Sequence, residues 1–283
     1  MDNLTSPDKI RQLMKKYDFR ISKKLGQNFI INPDICPRIA ALGGGSRSVG
    51  ALEIGPGIGV LTNELAKTCK KVVSIEVDKG LLPLLGETLA EHDNVKIIHG
   101  DVLGLELQEL IAAEFAGMEV IVCANLPYYI TSPIVMKLLE DRLPLRSITV
   151  MVQKEAAQRI CAPMPSRQSG AITAAIAYYT RPRVLFEVAP GSFMPAPDVQ
   201  SAVIRLDLHT APPVAVRDEN MLFRVIRASC ALRRKTILIC LCAGFSLDKP
   251  EMARRLEAAG VPPSARAEAL RLEDFAAISN QMD

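Results

Sequence analysis

Short runs of β-branched residues alternate with amphipathic segments from about Val49 to Gln153. This alternation constrains the fold strongly, because parallel strands joined by right-handed crossovers need a helix to return the chain. The predicted strands are Gly50–Ile54, Lys71–Val77, Val95–His99, Val120–Asn125 and Ile148–Gln153, and the helices between them include Leu61–Cys69 and Pro133–Asp141. The pattern therefore predicts an α/β fold in which helices cover both faces of a parallel sheet.

The later part of the chain departs from this alternation. Val184–Val188 and Ser201–Leu208 are predicted as two further strands, antiparallel and at the sheet edge, because a proline-rich bend separates them. Thr210–Pro213 interrupts the chain, and the segments after it are predicted as helices: Glu219–Cys230, Lys235–Ala243, Lys249–Ala259 and Ser264–Ser279. We therefore predict an α/β domain of residues 1–209 and a small all-helical domain of residues 210–283.

Composition excludes several classes of protein. Of the 283 residues, 49% are hydrophobic and 23% are charged, which is typical of a folded, soluble chain. No apolar stretch reaches the ~20 residues of a membrane-spanning helix, and no secretory signal is visible, so a cytoplasmic protein without membrane contact is expected. Seven cysteines without a C-x-x-C pair, and only three histidines, argue against a disulfide framework and a structural metal.

Positive charge is concentrated in two clusters, although the net charge of +3 is only mildly basic. One cluster lies in the N-terminal segment and includes Lys23 and Lys24, and the other is Arg233–Arg234–Lys235. Either cluster is also compatible with an ordinary solvated face. Charge alone therefore does not establish a nucleic-acid partner.

A glycine-rich loop, Glu53–Ile54–Gly55–Pro56–Gly57–Ile58–Gly59, ends the first predicted strand and opens a helix. Glycines there let the backbone turn tightly and approach a ligand that a Cβ atom would exclude. Such loops bind NAD, FAD, nucleotides and S-adenosylmethionine alike. The G-x-G-x-G spacing, with an acid leading in and no Gly-Lys-Ser/Thr after it, disfavours a P-loop and favours S-adenosylmethionine over a dinucleotide.

Carboxylates follow the next two predicted strands. Glu76 ends the second strand, where a carboxylate can accept hydrogen bonds from both ribose hydroxyls. Asp101 follows the third strand, where it could accept from the exocyclic amine of an adenine. Each acid alone is compatible with a helix N-cap or a surface charge. Because ligands bind at the carboxyl edge of such sheets, three strand ends of this kind in succession predict a cofactor site.

The tetrapeptide Asn125–Leu126–Pro127–Tyr128, at the end of the fourth strand, indicates the reaction. An exocyclic aromatic amine is a poor nucleophile because its lone pair is delocalised into the ring. The Asn125 side-chain oxygen and the Leu126 carbonyl could accept its N–H hydrogens and favour a pyramidal nitrogen. Pro127 stiffens the turn, and Tyr128 can stack on the base near a sulfonium. An ordinary Asn-x-Pro turn with a half-buried tyrosine is the alternative interpretation.

In this order the motifs resemble those of the rRNA adenine N6-dimethyltransferase family. Lys24–Ile30 is similar to the family's K-x-x-G-Q-N-F-L motif, with Ile30 in place of leucine. The other motifs that follow in the family's order are Glu53–Gly59, Glu76, Gly100–Asp101, Asn125–Tyr128, Phe193–Pro197 through Ser201, and Arg233–Thr236. The resemblance implies a Rossmann-like class I S-adenosylmethionine-dependent methyltransferase fold with a small all-helical C-terminal domain.

The resemblance also implies roles for individual residues. S-adenosylmethionine would be bound, without a metal, by Asn28, Ile30, Gly55, Gly57, Glu76, Asp101 and Asn125. The catalytic residues would be Asn125, Leu126, Pro127, Tyr128 and Phe193, with the target adenine between Tyr128 and Phe193. A core position between the last two strands is the alternative for Phe193. The residues that grip RNA phosphates would be Lys23, Lys24, Arg233, Arg234 and Lys235.

The substrate that the resemblance implies is a pair of adjacent adenosines in a hairpin loop near the 3′ end of 16S rRNA, in the small (30S) ribosomal subunit, each methylated twice. Looped-out bases suit such an enzyme because they cost less to unstack than bases in a duplex. A monomer is the simplest expectation. The alternatives are a 23S rRNA adenine methyltransferase of the macrolide-resistance type and a small-subunit assembly factor that acts mainly by binding. A Rossmann oxidoreductase would instead bind NAD tightly and S-adenosylmethionine not at all.

Overall fold

The computed structural model describes residues 4–22 and 24–282, which divide into two compact units. The described residues of 1–157 and 183–208 form the α/β unit, and those of 158–182 and 209–282 form the helical unit. In chain order the strands are β1 (Phe29–Ile30), β2 (Val49–Ile54), β3 (Lys71–Glu76), β4 (Val95–His99), β5 (Glu119–Asn125), β6 (Leu145–Gln153), β7 (Thr180–Val188), β8 (Phe193–Met194) and β9 (Ser201–Leu208).

Within the described residues, seven of these strands form one sheet in the order β4-β3-β2-β5-β6-β9-β7. The pairs β3–β4, β2–β3, β2–β5 and β5–β6 are parallel, and β9 is antiparallel to β6. Strands β1 and β8 form a separate antiparallel pair. The prediction of a parallel sheet is confirmed, and both later strands lie at its edge, with β9 paired directly to β6 and β7 outermost.

The helices that the structure describes are α1 (Pro7–Lys16), α2 (Ile35–Leu42), α3 (Val60–Thr68), α4 (Leu82–Thr88), α5 (Leu107–Glu114), α6 (Thr131–Glu140), α7 (Lys154–Ile160), α8 (Ala171–Tyr179), α9 (Glu219–Cys230), α10 (Ile237–Phe245), α11 (Lys249–Ala258) and α12 (Leu272–Ser279). Among the described residues, no helix is both long and apolar enough to cross a membrane.

The central strand β2 shows how the core is built. All six of its residues are buried, as expected for a strand covered on both faces. Gly50 is required in this strand because a Cβ atom there would overlap the ring of Phe115, which follows α5. The phenylalanine therefore packs directly on the strand backbone, and the helix is held close to the sheet.

The helical unit differs from the sequence prediction because it includes residues 158–182 as well as the chain after Leu208. Helix α8 joins the C-terminal helices through its aromatic end. The Tyr178 hydroxyl donates to the Glu219 carboxylate at 2.6 Å, and the Tyr178 ring meets Phe223 edge-on with centroids 5.3 Å apart. The predicted boundary after residue 209 lies within one residue of the observed one, but residues 158–182 lie outside the predicted helical domain.

The last helix is shorter than the segment Ser264–Ser279 predicted for it. Residues Ala267–Ala269 form a single 3₁₀ turn, and α12 begins only at Leu272. The Asp274 carboxylate accepts the Arg271 backbone N–H at 2.8 Å, which caps the helix at this point. The cap accounts for the late start.

Candidate active site

A cavity of about 890 Å³, measured with its open mouth, lies in the α/β unit at the carboxyl ends of β2, β3 and β5. The side chains and backbone that line it come from four parts of the chain: residues 25–30, 53–61, 76–81 and 125–130. The predicted cofactor residues Asn28, Ile30, Gly55, Gly57, Glu76 and Asn125 all line it, as do Leu126, Pro127 and Tyr128. Most of the predicted site is therefore brought together in one place.

The glycine loop between β2 and α3 provides an open wall. Gly55, Gly57 and Gly59 have φ values of +70°, +59° and +89°, in the left-handed region that favours glycine. A Cβ atom at Gly59 would lie 3.1 Å from Leu89, whereas a Cβ atom at Gly55 would meet nothing within 4 Å. The backbone at Gly55 therefore faces open space, as a loop that approaches a ligand must.

Glu76 presents a buried carboxylate to this cavity. Its Oε1 accepts the Asp78 backbone N–H at 2.8 Å. Burial raises the pKa of Glu76, while hydrogen bonds from the backbone of Asp78, Gly57 and Val77 act in the opposite direction. These N–H groups hold the carboxylate in one orientation, which suits it to accept hydrogen bonds from ligand hydroxyls.

Asp101 is placed differently from the prediction. Its side chain is exposed, is not among the residues lining the cavity, and accepts the Leu103 backbone N–H at 2.9 Å. The carboxylate therefore caps the short turn after β4, which is the helix N-cap role that its sequence also allows.

The Asn125 side chain is oriented by the loop that contains Asn28. Its Nδ2 donates to the Asn28 carbonyl at 3.3 Å, which leaves Oδ1 on the other side of the amide. Among the described residues, no group donates to Asn125 Oδ1 or to the Leu126 carbonyl. Two acceptors at the cavity wall are therefore available to a ligand amine.

The turn that carries these acceptors is held from both sides. The Leu126 backbone N–H donates to the Met151 carbonyl at 3.2 Å, and the Pro127 carbonyl accepts from Ile130 N–H and from the Thr131 hydroxyl, both at 3.2 Å. The Tyr128 hydroxyl lies 2.6 Å from the Ser201 hydroxyl on β9. Burial raises the pKa of the Tyr128 hydroxyl, so its ring is a neutral, fixed part of the wall.

Phe193 does not line the cavity, in contrast to its predicted place beside the target base. Its side chain is 3% exposed and packs in an apolar cluster with Ile30 and Val188. The antiparallel pairing of β8 with β1, in which Phe193 is the partner of Ile30, turns the ring into the core. The structure thus gives Phe193 the core position that was its alternative.

The sequence predicts no role for Glu53 beyond that of the acid that leads into the glycine loop. In the structure this residue forms part of the cavity wall. It is 1% exposed, and its Oε2 accepts from the Thr62 and Ser74 hydroxyls, both at 2.6 Å. Its Oε1 has no hydrogen-bond partner in the described part of the chain. Burial raises the pKa of this carboxyl to about 7, since the two hydroxyls only partly offset the loss of solvent.

The Glu53→Gln substitution tests this burial through the pH dependence of stability. Because the pKa of Glu53 is raised to about 7 from 4.5, its neutral form stabilises the fold at low pH, and the stabilisation is lost as pH rises through 7. Between about pH 5.5 and 8, we expect wild type to lose roughly 2 kcal/mol of unfolding free energy relative to Glu53→Gln, measured by urea denaturation. The exposed Glu91→Gln is the control, and parallel profiles for Glu53→Gln and wild type would contradict the expectation.

The predicted RNA-binding cations are exposed where the structure describes them. Lys24 is exposed in the α/β unit, and Arg233, Arg234 and Lys235 are exposed between α9 and α10 of the helical unit. Lys23 lies outside the described residues. Arg233 also lines a cavity within the helical unit, together with Arg159 and the start of α8.

Comparisons with known proteins cover nearly the whole chain. A family model described as ribosomal RNA adenine dimethylase matches residues 18–283. Ribosomal RNA small subunit methyltransferase A of Geobacillus thermodenitrificans is 46% identical over 284 residues, covering 99% of this chain and 97% of that protein. The protein of the same name from Alkaliphilus oremlandii is 41% identical over 283 residues, covering 100% of this chain and 99% of that protein.

Two solved structures are similar in fold over most of the chain. A dimethyladenosine transferase from Plasmodium falciparum has a TM-score of 0.73 at 22% identity and covers 88% of this chain and 95% of its own. The 23S rRNA methyltransferase ErmE has a TM-score of 0.68 at 25% identity and covers 90% of this chain and 99% of its own. These likenesses confirm the predicted fold class.

Proposed function

The chain belongs to the ribosomal RNA adenine dimethylase family, and we propose that it dimethylates N6 of two adjacent adenosines in the 3′-terminal hairpin loop of 16S rRNA. Membership of the family makes the protein an S-adenosylmethionine-dependent rRNA adenine methyltransferase. Its substrate under this proposal is the small ribosomal subunit, and it works in the cytoplasm as a monomer. The observation that carries the proposal is a pair of acceptors on the cavity wall, Asn125 Oδ1 and the Leu126 carbonyl, to which no group in the described part of the chain donates.

The residues of the cavity fit S-adenosylmethionine. The open backbone at Gly55 can lie against the ligand, and the Glu76 carboxylate can accept from two ribose hydroxyls. Asn28 and Ile30 close the cavity on the side of the N-terminal loop. When bound, the cofactor supplies a methyl group on a positively charged sulfonium.

The chain's own contribution to the reaction is the preparation of the amine. Asn125 Oδ1 and the Leu126 carbonyl accept the two N6 hydrogens of the target adenine and draw its lone pair out of the ring. Pro127 keeps this turn rigid, and the face of Tyr128 supports the base and favours the nearby positive charge. No general base is required, because the proton of the methylated nitrogen can leave to solvent.

The small-subunit target is favoured over the large-subunit one by similarity. The relatives named for the small subunit are 41–46% identical across the full chain, whereas ErmE, named for 23S rRNA, is 25% identical. Incubation of the protein with labelled S-adenosylmethionine and unmethylated small or large subunits tests this, with mass spectrometry to map the products. We expect dimethyladenosine at two adjacent positions of 16S rRNA, and label confined to 23S rRNA would contradict the proposal.

Exposed cations bind the RNA in this proposal, so their removal should change the salt dependence of binding. For the triple substitution Arg233→Ala, Arg234→Ala and Lys235→Ala, the slope of log affinity against log salt should fall by about 2 units, because each phosphate contact contributes roughly 0.7 to 0.9. The slope is measured by titrating labelled enzyme into small subunits. The exposed Lys249→Ala is a matched control in the same unit, and an unchanged slope in the triple variant would exclude these cations from the interface.

A further inference from the structure

Tyr129 directly follows the turn Asn125–Tyr128, and its ring has no role in the methyl transfer proposed above. It lines the same cavity as Tyr128, yet its side chain is 59% exposed. Tyr128 is held in the wall by its contact with Ser201, whereas Tyr129 has no hydrogen-bond partner among the residues that the structure describes. Two consecutive aromatic rings therefore border one cavity, one fixed in its wall and the other open to solvent.

The backbone of the loop formed by residues 25–30 supports the exposed ring of Tyr129. Gly26 has a φ of +62°, and a Cβ atom built on it would lie 3.5 Å from both Cδ1 and Cε1 of Tyr129 and 3.6 Å from the Pro127 Cβ. One edge of the ring thus lies beside Gly26, while most of the residue's surface stays exposed. A tyrosine supported in this way offers a large, rigid contact area at a low cost in conformational entropy.

The chemistry of the site identifies what would cover this ring. A base that enters the cavity remains joined to its neighbours in the RNA, so an adjacent nucleotide must lie near the cavity mouth. Every nucleobase has a π face that can stack on an aromatic side chain. We propose that Tyr129 forms a second base subsite, in which its ring stacks on the nucleobase adjacent to the adenosine being methylated. This inference rests on the proposed function.

Two variants and one modified substrate test the subsite. Tyr129→Leu should raise the KM for unmethylated small subunits about tenfold, because base stacking on an aromatic ring is lost. The rise should persist at high salt, which weakens phosphate contacts but not stacking. Tyr129→Phe keeps the ring and should restore the KM to within about twofold of wild type. The dissociation constant for S-adenosylmethionine and the thermal midpoint should not change, and Leu42→Ala, a similarly exposed apolar residue outside the cavity, should have no effect.

The substrate arm uses subunits reconstituted with 16S rRNA that carries an abasic residue beside the target adenosine. The KM of wild type should be about tenfold higher for this substrate than for ordinary subunits. The KM of Tyr129→Leu, already raised, should be the same for both substrates. Two results would refute the subsite and leave the proposed function standing, provided that wild type methylates ordinary small subunits. Either Tyr129→Leu has the KM of wild type, or the rises in KM caused by the substitution and by the abasic residue simply multiply. If wild type methylates no small subunits at all, the proposed function fails and the subsite fails with it.

Discussion

The Asn125→Ala enzyme is expected to methylate small subunits with a kcat lower by about 10²- to 10³-fold, the usual cost of losing one preorganised group that acts in the transition state. The physical reason is the loss of Oδ1, which the hydrogen bond from Nδ2 to the Asn28 carbonyl turns away from the loop. The dissociation constant for S-adenosylmethionine should change only a few-fold. Single-turnover rates and calorimetric titration of the cofactor separate the two effects.

Two further variants sharpen this prediction. Asn125→Asp retains an acceptor oxygen and should keep more activity than Asn125→Ala. Asn32→Ala removes an amide side chain of the same unit that does not line the cavity, and it should turn over like wild type. A normal rate for Asn125→Ala would refute the acceptor mechanism.

The second large effect is expected at Glu76, where Glu76→Ala should weaken S-adenosylmethionine binding by about 10²- to 10⁴-fold, because the hydrogen bonds from two ribose hydroxyls are lost. Hydrogen bonds to a charged group contribute roughly 1.5 to 3 kcal/mol each, and tenfold in affinity corresponds to about 1.4 kcal/mol. The measurement is calorimetric titration of S-adenosylmethionine at about pH 8, because burial raises the pKa of Glu76 and a higher pH favours its charged form. At saturating cofactor, kcat should fall much less than the affinity.

Asp101→Ala is the matched comparison for Glu76→Ala, because it removes a carboxylate from the end of the neighbouring strand. The structure has Asp101 exposed and capping a turn, so the loss of affinity should be the smaller of the two. An equal loss of S-adenosylmethionine affinity in both variants would show that Asp101 also binds the cofactor. Wild-type affinity in Glu76→Ala would show that Glu76 does not bind it.

Much of the fold could be predicted because its strands are defined by local pattern. Lys71–Glu76, Val95–His99 and Ser201–Leu208 are β-branched or apolar runs bounded by polar or turn residues, and the observed limits agree closely. The insertion of β9 between β6 and β7 could not be predicted, since strand pairing depends on contacts remote in sequence. The same holds for α8, whose place in the helical unit depends on Tyr178 meeting Phe223.

The position of the site could be predicted because ligands bind at the carboxyl ends of parallel strands. Glu76 and Asn125 end parallel neighbours of β2, so the topology alone brings them together. The direction of a side chain that follows a strand could not be predicted in this way. Phe193 turns inward because β8 pairs with β1, and Asp101 turns outward to cap its own turn. Tyr129 and Glu53 gain their importance from exposure and burial, which a sequence pattern does not reveal.

The most direct measurement is a crystal structure of the protein with S-adenosylhomocysteine and an RNA that contains the target adenosines. The account predicts the nucleoside beside Glu76 and the adenine N6 within about 3 Å of both Asn125 Oδ1 and the Leu126 carbonyl. A cofactor bound elsewhere, or an Asn125 amide that presents Nδ2 instead of Oδ1 to the base, would contradict it.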